Sequence, residues 1–162
     1  MNLALEKELN KDYLTAVQLY KNQISGSSVT AQEDYINLAF LYWLFAADYG
    51  FAEYYSIPQE LRDKGGEEYS KILDLAIAKY PNSVELKFWA RYFPHRHYFV
   101  EFPRHECERM ITESTEEESL IPYFYLYLFD KKRYKKQKER LLELCKATPS
   151  AKFTYIKSII GG

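Results

Sequence analysis

The sequence predicts an all-α protein built from antiparallel helix pairs, and three observations predict it. Apolar residues recur at steps of three and four, as in Leu9, Tyr13, Ala16, Val17, Tyr20 and Ile24, the stripe of an amphipathic helix. Breakers and capping residues punctuate these stripes: Gly26-Ser27-Ser28, Gly50, Pro81-Asn82-Ser83 and Pro149-Ser150. With 162 residues, 47% hydrophobic and 28% charged, the chain is long and apolar enough for one folded domain over 1–162, and disorder is excluded.

The elements follow in order. The first stripe predicts one helix from about Leu9 to Ile24. Thr30, with Glu33 three residues on, is a capping pair for a second helix through Tyr35, Leu38, Ala39 and Tyr42 to about Asp48. Residues 50–66, with Pro58 and Gly65-Gly66, read as an irregular insertion in which Ser56 can cap one short helix, with Gln59 reaching back. Glu67 to Lys79 is a third helix, acidic at its positive end and with Lys79 near its negative end. Ser83 caps a fourth over Val84–Phe93.

The stretch 94–103, bracketed by Pro94 and Pro103, stays open between helix and strand. Pro103 suits a first helical turn, so a helix is expected from there to about Thr112. An acidic linker runs to Glu118. Leu120–Phe129 is an unbroken apolar run whose period decides nothing, although Pro122 argues against a central strand. Lys131–Lys146 is helical, and Phe153, Ile156 and Ile160 mark a closing helix.

Charge and cysteine usage set the function classes. Lys+Arg 22 against Asp+Glu 23 excludes a globally basic nucleic-acid binder and leaves room for a local patch. The longest charge-free stretch, centred on Tyr35–Ala47, is too short to span a bilayer, which needs about 20 residues. Charges within the first eight residues argue against a signal peptide. Two cysteines, Cys107 and Cys145, read as reduced thiols, so a cytoplasmic protein with no membrane association is expected.

Tyr35-x-x-Leu38-Ala39-x-x-Tyr42 resembles the first helix of a tetratricopeptide repeat, where a large, an apolar, a small residue and a tyrosine recur at those offsets. Leu86-x-x-Trp89-Ala90-x-x-Phe93 repeats it, and Pro81 and Pro149 stand two 34-residue periods apart. The small residue lets a partner helix cross closely. The resemblance implies a short, degenerate TPR-like α-solenoid of about three helix pairs with a terminal capping helix. A third repeat carries Tyr127 where the small residue belongs, and a plain helical bundle is the alternative.

With Tyr35, Leu38, Ala39 and Tyr42 committed to internal packing, Ile36, Phe40 and Trp43 fall on the face that lines the concave groove in proteins of this type. Together with Phe51, Tyr54 and Tyr55 of the insertion they are the expected protein-binding residues. The competing reading is that the insertion folds over that face and buries it. Tyrosine offers apolar area and a hydroxyl with few torsions to freeze, which suits recognition.

Two other constellations carry chemistry. His95, His97, His105 and Cys107 would suit zinc if both pairs were extended. A helix from Pro103 would instead point His105 and Cys107 apart. Seven basic residues lie in Lys131–Arg140 and would suit phosphates, with Tyr134 available to stack; the helix phase makes Tyr134 core and the lysines a solvated face. Neither a phosphate-binding glycine loop nor a nucleophile motif is present. The expectation is therefore a non-enzymatic protein-binding module with no cofactor or metal, of the size and character of bacterial immunity proteins, whose partner is a cognate toxin, or of an adaptor.

Overall fold

A computed structural model describes residues 2–26, 30–115 and 119–161; the expected Ser27-Ser28 stop and the run Glu116–Glu118 lie outside them. Among the described residues there are ten helices and no strand, so 94–103 and 120–129 are not sheet. The chain divides into two compact units, Met1–Pro81 and Asn82–Gly162.

The first unit holds α1 (Leu3–Leu9), α2 (Tyr13–Gly26), α3 (Gln32–Ala47), α4 (Tyr49–Tyr54) and α5 (Gln59–Lys79). The first stripe is two helices rather than one. Lys11 turns left-handed at φ 64°, and Asp12 opens α2, its side chain accepting from the Thr15 amide at 3.3 Å. α3 starts at Gln32 with Ala31 at the cap position. The Thr30 hydroxyl donates to the Gln23 carbonyl, while its own carbonyl accepts from the Tyr80 hydroxyl at 2.8 Å. That bond ties the end of α5 to the start of α3, and Gly65 near the start of α5 meets Ala46 near the end of α3, so the two run antiparallel. The insertion is mostly helical: α5 begins at Gln59 and runs straight through Gly65.

The second unit holds α6 (Val84–Tyr98), α7 (Arg104–Thr112), α8 (Tyr123–Phe129), α9 (Lys135–Ala147) and α10 (Ala151–Ile160). Ser83 and Ser150 cap α6 and α10, each accepting from an amide at 3.2 Å. Pro94 lies inside α6, one turn before its end. There the chain loses one backbone hydrogen bond, and the helix continues to Tyr98 before Phe99 closes it at φ 59°. The core is a ring cluster: Trp89, Tyr92 and Phe88 of α6 pack on Phe124 of α8 with centroids 5.1–5.7 Å apart. Arg91 grips Glu106 bidentately at 2.5 and 3.0 Å and the Glu101 carbonyl at 2.8 Å, which fixes the course of the α6–α7 connection.

Candidate functional site

The residues expected to line a groove separate into two groups. Ile36, Phe40 and Trp43 are 1%, 0% and 4% exposed, and every residue of α3 from Tyr35 to Phe45 is buried. This corrects the expected binding face. A helix that is apolar all round has no solvent side to offer, and its interior position follows from the same charge-free stretch. No aromatic groove opens along α3.

Phe51, Tyr54 and Tyr55 belong to a different surface. Asp48 caps α4, its carboxylate accepting from the Phe51 amide at 3.0 Å. The inner side of α4 is Ala52, fully buried, and the chain returns inward at buried Ile57, whose amide donates to the Ala52 carbonyl at 2.9 Å. The turn between them passes through Ser56 at φ 51°, which is why Ser56 makes a turn and not a cap. The opposite side carries Tyr54 at 80% exposure and Tyr49 at 73%.

Rings hold this knuckle from behind. Tyr13, Phe51 and Tyr55 form a triangle with all three centroid separations 4.9 Å, and Tyr54 meets Tyr55 edge-on at 4.8 Å. Burial, reinforced by Tyr55, raises the Tyr13 phenol well above its ordinary value. Cations frame it: Lys11 donates to the Tyr55 hydroxyl at 3.3 Å, and Arg62 lies 5.1 Å from the Tyr49 ring while pairing with Glu53 at 2.8 Å. The result is an aromatic surface with a charged rim.

The histidine–cysteine residues do not assemble. His95 bonds the Val100 carbonyl through Nδ1 at 2.8 Å, His97 stacks on Tyr98 at 3.9 Å, and His105 stands exposed on α7. Cys107 points inward, its thiol against the Pro122 carbonyl, and burial pushes it up to about 12. Among the described residues no group of three or more metal-ligating side chains is placed to hold an ion.

At the basic segment, Tyr134 is buried and its hydroxyl reaches Glu108 at 3.4 Å, while Lys131, Lys132, Arg133, Lys135 and Lys136 are exposed. Sequence reasoning missed Tyr49, whose place just past the charge-free run was the available signal. It also missed the exposed turn Tyr98-Phe99-Val100, which lay in the undecided stretch. That turn borders an open cleft of about 750 Å³. Arg96, Phe99, Arg104 and Phe129 line it over the stacked pair Phe102–Tyr125.

No helix among the described residues is long and apolar enough to cross a membrane. Comparison with protein-family models, curated proteins and solved structures finds no match to the chain.

Proposed function

We propose that this chain is a non-enzymatic binding protein that engages a protein partner through the α4 knuckle, with Tyr49 and Tyr54 as anchors and Lys11, Glu53 and Arg62 as rim. The observation that carries it is the exposure of two tyrosines on a short helix whose supporting rings are packed at 4.8–4.9 Å. Large rings held rigid before binding lose little entropy when a partner covers them, and such anchors dominate interface energies. The TPR-like reading of the chain stays part of this proposal, with recognition assigned to the α4 surface in place of a concave groove. The role is steric: masking a partner's surface, as an immunity protein masks its toxin, or bridging partners as an adaptor does.

The test is quantitative affinity enrichment with the wild-type chain and a Tyr49→Ala/Tyr54→Ala variant from the same cells. A protein retained by the wild type and depleted at least about 30-fold by the variant, the weight of one 2 kcal/mol hot spot, supports the reading. Equal retention of every protein by both chains contradicts it.

A further inference from the structure

We infer that the second unit carries a single-stranded nucleic-acid site, running from the cleft beside Phe99 to the basic turn Lys131–Lys136. Four observations converge on it, none involving the α4 knuckle.

The first is unmatched charge. Arg62, Lys64, Lys71, Arg91, Arg104 and Lys152 each pair with a carboxylate. Lys132, Lys135 and Lys136 form no ion pair with a carboxylate among the described residues, while Lys131 and Arg133 lie over the rings of Tyr127 and Tyr134 and Arg133 acts on Glu108 at longer range. The second is where that charge stands. Lys135 and Lys136 open α9, which has no acid in its first turn and no side-chain cap, so the cations add to the helix's positive end. A merely solvated face would favour the reverse order. A local rule broken without a compensating contact marks a surface kept for a ligand.

The third observation is Phe99. It is 91% exposed and sits at φ 59° as the left-handed cap that closes α6, its amide bonding the Pro94 carbonyl, so its ring is presented to solvent rather than packed. With half-exposed Phe129 it lines the cleft, where Arg96 supplies a guanidinium group; Arg104 there is paired with Glu108, and Glu101 also lines the cleft. The fourth is proximity along the chain: the basic turn starts at Lys131, two residues after the cleft-lining Phe129, with Asp130 between them held by Arg104 at 3.6 Å. Rings that accept a base face, next to cations that track phosphates, are what an unpaired strand needs. A duplex keeps its base faces stacked away. A bilayer cannot enter a recess, and an acidic polypeptide brings the charge without a flat ring at every unit.

The experiment is fluorescence anisotropy with a fluorescein-labelled 12-mer of uridylate and the full chain, between 50 and 200 mM salt. About four neutralised phosphates predict a slope of log K against log salt near −3, a loss of roughly 50-fold across that range. Phe99→Ala and Phe129→Ala each weaken binding about 5- to 100-fold with the slope unchanged. Lys132→Glu/Lys135→Glu flattens the slope while the circular-dichroism melt stays as in wild type. Tyr49→Ala/Tyr54→Ala leaves oligonucleotide binding as in wild type, which separates this site from the α4 reading. No binding at 50 mM salt overturns the inference. So does affinity indifferent to Phe99 and Phe129, tighter binding to a 12-base-pair duplex, or stronger competition by polyglutamate or by phosphatidylserine vesicles.

Discussion

A Cβ on Gly65 would stand 2.5 Å from the carbonyl oxygen of Tyr42 and 2.8 Å from the Ala46 methyl. The α3–α5 crossing therefore admits only hydrogen at position 65. Helix propensity alone favours Gly65→Ala by about 1 kcal/mol, whereas overpacking against backbone costs about 1–3. The clash is with a carbonyl that cannot rotate away, so the upper end applies and the variant loses about 2 kcal/mol net. Gly50→Ala is the matched control. Its Cβ would meet only the Asp48 carboxylate at 3.6 Å, and the variant gains a few tenths to 1 kcal/mol. Urea unfolding of both checks the opposite signs.

Lys152 is 1% exposed and donates to Glu85 at 2.8 Å, and the same carboxylate oxygen accepts from the Trp89 indole at 2.9 Å. Removing one partner leaves a buried charge with half its compensation, at a cost of about 3–5 kcal/mol. Lys152→Met is expected to be strongly destabilised, and adding Glu85→Gln recovers part of the loss. A double-mutant cycle by chemical denaturation reads the coupling; additive effects would mean the pair is energetically silent.

Burial makes the fold alkali-sensitive. In the native protein Cys107 is pushed up to about 12 from 9.0, and Tyr42 to about 12 from 10.0, mainly by burial. Both folded values exceed the unfolded ones, so the stability they bring is complete below pH 9 and is lost as pH rises toward 12. Each group ionised in the unfolded chain but neutral in the native one removes about 1.4 kcal/mol per pH unit. On the acid side, the Arg91 guanidinium holds Glu106 below the usual carboxylate range, a contribution present near neutrality and lost as pH falls. Stability against pH should show a flat neutral region and a steep alkaline limb; a profile flat to pH 12 would contradict the burial assigned to these groups.

The two thiols give a second readout of the same packing. Cys107 and Cys145 are free and buried, and burial raises both above the ordinary thiol value. Iodoacetamide at pH 8 should label neither in the native state and both in 6 M guanidinium. Rapid native labelling of Cys107 would show that α7 does not bury it.

Much of the fold was legible because it rests on local rules. Ser83 caps α6, Thr112 ends α7 and Tyr134 packs inward, each as its position in a stripe or beside a breaker predicts. The misread parts depend on distant partners. Gly65 looked like a break because the sequence does not show α3 crossing it, and Leu9 to Tyr13 looked continuous because spacing alone does not show the left-handed turn at Lys11, before which Leu9 stands 42% exposed. The site was half legible for the same reason. Phase around α3 separates Ile36, Phe40 and Trp43 from the Tyr35 stripe, but not buried from exposed when every face is apolar. Tyr54 and Tyr55, between Glu53 and Ser56, kept an exposed side, and Phe51 stayed partly exposed.

The recognition role proposed for the knuckle is tested most directly by isothermal titration of the enriched partner, once purified, against wild type and Tyr54→Ala. Matched thermal melts for the two chains exclude unfolding. The account predicts an affinity loss of about 30-fold or more on removing this one ring. Unchanged affinity with a folded variant would contradict it.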